Sequence, residues 1–370
     1  MTCTGVWEMK TFIPLALESE LVAEGLNLIG DRASLVVPSP DPSNWAWFDS
    51  ETTGLSSGAG TVIFLFGLAY RIREGWECTQ LFLEDYPYEL DFLLKIQERL
   101  DGFEGLVSYN GSTFDLPLLR TRFVMNGLQW ETPDHLDLLK PVRRLWRDSL
   151  SSCSLNSLET SVLGLQRLED VPGSLIPDIY QSYLQASGGD PGGFQPLSDA
   201  FAHHQSDHWS MIQLTQLLGR VRLGLRNHWI DPDLGDLGCT RTGILRFGGY
   251  LVLTREDLVF VAGLDLEPGD GLSVLMARGF LRMGEEVLAI SWLEKAKNEG
   301  SLWALERLLI RYEHRDRDHR KALELLEYYW EKGGPRLQNL SSSLTDTQLR
   351  RWQKRRGRLR RKCGVEDWAN

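Results

Sequence analysis

Between Trp45 and Leu83, three runs rich in β-branched and aromatic residues follow one another with only short breaks. Trp45–Glu51, Thr61–Ile72 and Glu77–Leu83 are apolar or alternating over the length of a strand, and SSGAG and REG separate them. Helical spacing then sets in over Tyr88–Leu100, with Leu90, Leu93, Leu94, Gln97 and Leu100 on the repeat. Leu106–Tyr109 reads as a short buried strand and Phe114–Met125 as a second helix. The order βββαβα predicts an α/β fold with a mixed sheet. Further helices are expected over Ser154–Leu163, Ile176–Leu184 and Ala200–Val221, with loops such as GGDPGG between them.

At 370 residues, 42% of them hydrophobic and 10% aromatic, the chain can bury two cores. Residues 1–43 read as a lead-in that ends in the turn-rich PSPDPSN, 44–224 as the α/β domain and 225–273 as a connecting segment. Within that connector, Gly243–Gly263 holds short strand-like runs. Residues 274–370 read as helical, and Ala289, Leu293 and Ala296 recur 33 positions later as Ala322, Leu326 and Tyr329. That period matches stacked helix pairs of the tetratricopeptide kind, whose grooves usually receive a protein partner. The five cysteines are scattered, with no CxxC pair, which suits a reducing compartment. The first residues lack a basic start followed by an apolar core, and the longest apolar run is too short for a membrane span, so a cytoplasmic protein is expected.

A formal charge of −11 argues against binding nucleic acid through bulk electrostatics. The charge is uneven, however. Nine Lys or Arg and no acid lie between Arg350 and Lys362, leaving −20 on the remainder. An acidic body that meets a phosphate backbone needs bound cations or a local basic strip. This tail is a candidate strip, or else the solvated end of the last helix.

Carboxylates occur in three settings. In FDSETTGL the strand period of two puts Asp49 and Glu51 on one face, where both can reach one cation. In SYNGSTFD, Asp115 stands in the first turn of a helix just after a buried strand, at the end of an α/β sheet where ligands bind; an Asp there also complements the helix dipole. In AHHQSDH, His203 and Asp207 are four apart and share a helix face. Zinc on His203, His204 and His208 is disfavoured, since no Cys is near and adjacent positions diverge around a helix. Four carboxylates suit a hard cation, Mg²⁺ or Mn²⁺.

In this joint order the chain resembles the DEDD superfamily of 3'-to-5' exonucleases, and more closely the YprB-like family of ribonuclease H-like proteins. The closer likeness is carried by FDSETTGL, GTVIFLFGLAY, LVSYNGSTFDLPLLRTRF, HLDLLKPVRRLW, SLNSLETSVLGLQRLEDVPGSLIPDIYQSYL and HHQSDHWSMIQL, over about residues 44–222. The resemblance implies a ribonuclease H-like fold and a nuclease using two divalent cations held by Asp49, Glu51, Asp115 and Asp207. It implies His203 as the base, with His204 second. Many DEDD exonucleases place the histidine five before the last aspartate, where this chain has Ala202. Thr52, Asn110 and Tyr109 border the expected cleft and are candidates to contact a terminal nucleotide. Asp137 is a candidate to orient the base or metal waters, or a structural cap. Arg143, Arg144 and Arg147 could track a strand or simply be solvated. DNA and RNA fit equally. Two other readings stay open: a nucleic-acid-binding module that turns over little and recruits a partner through its helices, and an enzyme acting on a nucleotide or another phosphodiester.

Overall fold

The computed structural model describes residues 5–13, 19–28, 41–54, 58–167, 170–186, 194–251, 254–265, 267, 271–333 and 344–365. The expected GGDPGG loop and the first part of PSPDPSN lie outside the described residues. The chain divides into two compact units, Met1–Val252 and Leu253–Asn370.

The first unit holds a six-stranded sheet. Its strands are β1 (Val6–Ile13), β2 (Trp45–Thr52), β3 (Ile63–Ile72), β4 (Gly75–Leu83), β5 (Gly105–Ser108) and β6 (Asp134–Asp137), in the order β1-β4-β3-β2-β5-β6. Strands β1 to β4 pair antiparallel, while β5 joins β2 and β6 joins β5 in parallel. The sheet is therefore mixed, as expected. The N-terminal residues contribute more than a lead-in. Val6–Ile13 completes the sheet edge on β4, and helix α1 (Ser19–Leu26) packs along the long helix of this unit. Only Val6 of VWEMKTFI is buried, and Trp7, Lys10 and Phe12 are exposed on both faces, as the position at the sheet edge allows.

Helices α2 (Glu89–Leu100), α3 (Asp115–Met125), α4 (Leu139–Trp146), α5 (Leu155–Leu158, running on into a π-helical turn, Glu159–Leu163) and α6 (Ile176–Gln185) flank the sheet. Phe92, Leu93, Ile96 and Leu100 are the buried side of α2, whereas Leu90 and Leu94 are exposed. Helix α7 (Gln195–Arg226) is 32 residues long, roughly 48 Å at the helical rise. Trp47 Nε1 donates to Thr215 Oγ1 at 2.9 Å, tying α7 to β2. Two glycines set its depth. A Cβ on Gly67 of β3 would lie 2.4 Å from ring carbons of His204 and His208, and one on Gly219 would lie 1.9 Å from the Leu21 carbonyl of α1.

The strand-like runs expected over 243–263 are helices instead: α8 (Arg241–Tyr250) and α9 (Arg255–Gly263). Thr240 caps the first by accepting from the Gly243 N–H, and Thr254 forms a reciprocal capping box with Asp257 at the start of the second. Ile244 and Phe247 are buried as α8 packs on α4, where Gly243 permits close approach to the Leu145 carbonyl. The segment expected as a connector is thus divided between the two units.

The second unit is helical: α9, α10 (Leu272–Met283), α11 (Glu286–Asn298), α12 (Leu302–Ile310), α13 (His319–Glu331) and α14 (Asp346–Lys362). Ala289, Leu293 and Ala296 are buried on α11, and Ala322, Leu326 and Tyr329 are buried on α13. Trp352 and Leu359 of α14 enter the same core as Leu305, Leu309 and Leu326. No helix among the described residues is long and apolar enough to cross a membrane.

Candidate metal centre

Strand β2 carries Asp49 and Glu51 on the face that receives α7, and the register slips after Glu51. Helix α7 carries His203 and Asp207 one turn apart. A ligand atom each from Glu51, His203 and Asp207 lies within 4.8 Å of the other two. Asp115 opens α3 just beyond the carboxyl end of β5 and accepts from Ser50 Oγ at 2.5 Å. Ser50 faces opposite to Asp49 on the strand, so Asp115 comes in at the strand ends from the other side of the sheet.

The four carboxylates feel one another. Burial, reinforced by Asp115, Asp207 and Glu51, pushes Asp49 well above the ordinary carboxylate range. Burial, then Asp207 and Asp115, pushes Glu51 up to about 8. Asp115 rises to about 6, chiefly through burial, with the Ser50 hydrogen bond opposing. Asp207 is also raised by burial, against the pull of His203 and Arg167. A cluster of oxygen ligands that resists ionising together is the donor set a hard divalent cation relieves, so Mg²⁺ or Mn²⁺ fits these residues.

Around His203 the structure adds residues that the sequence pattern did not single out. Asp170 Oδ1 lies 2.8 Å from His203 Nδ1. A carboxylate only accepts, so Nδ1–H donates and the Nε2 lone pair is left on the side of Asp207, whose Oδ2 is 3.7 Å away. Arg167 Nη1 lies 3.2 Å from the same Nδ1, but a guanidinium only donates. Asp170 is the nearer partner, and Arg167 Nη1 has Asp170 Oδ2 and the His203 carbonyl as acceptors at 3.4 Å. Arg167 Nη2 donates to both Asp207 Oδ1 and Glu159 Oε1. Glu159, fully buried in the π-helical turn, also accepts from Ser210 Oγ. Arg167 and Asp170 have salt-bridge spacing, the one local signal the sequence offers for this group.

His204 has a partner on each ring nitrogen. Gln80 Nε2 donates to its Nδ1 at 3.0 Å, and its Nε2–H reaches the Asp49 carbonyl at 3.2 Å. Both nitrogens are engaged, and burial holds the ring neutral, well below the usual histidine range. His204 therefore anchors α7 to β2 and β4.

Most of the other candidates have partners of their own, and Asp137 also raises Asp115. Asp137, at the end of β6, accepts from the Asn110, Ser112 and Leu139 N–H groups and from Ser112 Oγ. It is a structural clamp on the turn that delivers Asp115. Asn110 is exposed in that turn at φ 66° and accepts from Thr113 Oγ1 at 2.8 Å. Tyr109 is half-buried, and its hydroxyl donates to the Cys153 carbonyl at 2.5 Å. Thr52 is buried and donates to the Gly54 carbonyl at 2.7 Å. Arg144 donates to the Lys140 carbonyl, Arg147 lies 3.5 Å from Asp148, and Arg143 is exposed.

A sequence model described as the RNase_H superfamily matches residues 46–219. The uncharacterized protein YprB of Bacillus subtilis (strain 168) is 34% identical over 200 residues, 53% of this chain and 47% of the relative, so the match spans about half of that protein. Among solved structures, the family B DNA polymerase from the hyperthermophilic archaeon Pyrobaculum calidifontis aligns with a TM-score of 0.40 at 14% identity, over 61% of this chain and 30% of that one.

Proposed function

Residues 46–219 belong to the ribonuclease H superfamily, and from that premise we propose that the chain is a metal-dependent nuclease that hydrolyses nucleic acid from a 3' end. The observation that carries the reading is the convergence of Glu51, His203 and Asp207 within 4.8 Å, beside Asp49 and Asp115. Asp49, Glu51, Asp115 and Asp207 would hold Mg²⁺ or Mn²⁺. When bound, two such cations supply charge to activate water and to stabilise the leaving oxygen.

The protein's own groups divide the remaining work. His203 Nε2, unprotonated in the tautomer that Asp170 selects, takes the proton of the attacking water, and Asp170 stabilises the imidazolium that results. Arg167 holds one oxygen of Asp207 and leaves Oδ2 toward His203. Thr52, Tyr109 and Asn110 line the approach of the terminal nucleotide. The 33-residue correspondence between α11 and α13 supports a tetratricopeptide-like pair that receives a protein partner.

The test is cleavage of 5'-labelled single-stranded DNA and RNA by purified protein with Mg²⁺ or Mn²⁺, beside a chelator control and Asp49→Ala. A ladder that shortens from the 3' end and vanishes in both controls supports the reading and names the polymer. Absence of metal-dependent cleavage of either strand sinks it.

A further inference from the structure

The basic stretch of α14 is largely consumed within its own unit. Arg356 and Arg360 hold Glu327, Arg351 holds Glu306, Arg358 holds Glu313 through two hydrogen bonds, and Arg355 and Lys362 lie within 3.7 Å of Glu313. These pairs and the inward Trp352 and Leu359 fix the helix in place. Among the described residues, Arg350 and Lys354 have no ion-pair partner, and both are exposed. They stand one helical turn apart and, with Thr347, Arg351, Arg355 and Arg358, line an open groove of about 500 Å³. Among the described residues, the acids paired with these five cations are Glu306 and Glu313.

We propose that this groove binds the phosphate backbone of a nucleic-acid strand. Its lining decides the class of partner. A protein interface needs an apolar or aromatic anchor at its centre, and this groove offers none, since Trp352 and Leu359 are turned into the core. Phosphate contacts require only Arg and Lys, here set in a row that rises roughly 12 Å from Arg350 to Arg358. The charge balance of the chain supplies the need. The sheet-bearing unit has 18 Lys and Arg against 32 Asp and Glu, and the helical unit has 22 against 19. A polyanion repelled by the first unit gains a tethered contact on the second, which raises its effective concentration. The inference rests on the nuclease reading for the kind of polymer, and its experiment measures binding without cleavage so that the two fail separately.

The experiment is fluorescence anisotropy of 5'-fluorescein single-stranded 20-mer DNA and RNA with the full chain in EDTA, across a salt series. Arg350→Glu/Lys354→Glu is compared with wild type, with Arg350→Gln/Lys354→Gln as a neutral second variant and Asp49→Ala as a site control. The charge reversal should weaken binding at least about tenfold at low salt, and the neutral variant should lower the salt slope by about 1.4, two single-strand phosphate contacts. The groove substitutions should lower affinity by the same factor in the Asp49→Ala background as in wild type, which keeps the groove's loss separate from the carboxylate site. The proposal is overturned if wild type binds neither strand, or if affinity and slope are unmoved in both groove variants at unchanged melting temperature. It is also overturned if labelled polyglutamate, and not the strands, is what the variants lose.

Discussion

Asp170 and His203 meet through a single hydrogen bond of 2.8 Å, and that contact decides which ring nitrogen faces the carboxylate cluster. Asp170→Ala frees the ring to rotate and to change tautomer, while the four carboxylates keep their places. The turnover number should fall roughly ten- to a hundredfold with KM little changed. Mn²⁺ affinity, read by calorimetry, should stay as in wild type. A parallel loss of Mn²⁺ binding would show that Asp170 only supports the fold.

Arg167 is a fixed cation beside a cation site. Arg167→Met removes the positive charge that shares Asp207 and leaves Glu159 buried with, among the described residues, Ser210 as its remaining side-chain partner. Mn²⁺ should then bind about tenfold more tightly, as expected when a like charge a few ångströms away is removed in a partly screened site. The melting temperature should drop by several degrees, because an unpaired buried carboxylate remains. Weaker Mn²⁺ binding would mean that Arg167 chiefly orients Asp207 for the metal.

The stability of the metal-free protein should depend on pH in a definite direction. Glu51 has an ordinary value of 4.5 and a folded value of about 8, and Asp115 goes from 3.8 to about 6. A carboxyl raised on folding favours the folded state fully only while both states hold the proton. Stability is therefore lost as the pH rises above the unfolded value, and the loss is complete once the folded value is passed. In EDTA the melting temperature should fall from about pH 4.5 to about pH 8, and Glu51→Gln should flatten the part between 6 and 8. Added Mn²⁺ should raise it more at pH 8 than at pH 5. A metal-free melting temperature that climbs over this range would contradict the clustering of the carboxylates.

Gly67→Ala places a methyl group 2.4 Å from ring carbons of His204 and His208, so α7 must move off the sheet. The overpacking should cost about 1–3 kcal/mol. Because α7 carries Asp207, Mn²⁺ binding should weaken as well. A variant with wild-type melting temperature and wild-type Mn²⁺ affinity would refute the role given to this glycine.

What the sequence reveals here depends on whether a feature is periodic. Asp49 and Glu51 are legible because alternation in a strand fixes their face, and Asp115 because a helix follows a short buried strand. The residues that tune the site are not legible in that way. Arg167 and Asp170 follow a π-helical turn, where no repeat assigns a direction. Ser50 meets Asp115 only because β2 and the turn after β5 end side by side. His203 and His204 are the same residue type in adjacent positions, and only the three-dimensional path of α7 separates a ring open toward Asp207 from one locked between Gln80 and Asp49. In the 243–263 segment, glycines and β-branched residues suggested strands. Thr254-Arg-Glu-Asp257 carries a capping box, a local signal that outweighs composition once the helix has a neighbour to pack on.

Helix α7 is fastened to the sheet at His204, at His208 beneath Gly67 and at Thr215, and the site residues His203 and Asp207 are interleaved with those fastenings. Each residue turns a helix by about 100°. Inserting or deleting one position between His203 and Thr215 would therefore rotate the histidine away from Asp170, however conservative the residue involved. The fastenings fix the spacing of this stretch, so natural variation should keep its length, and indels should be confined to the loops on either side.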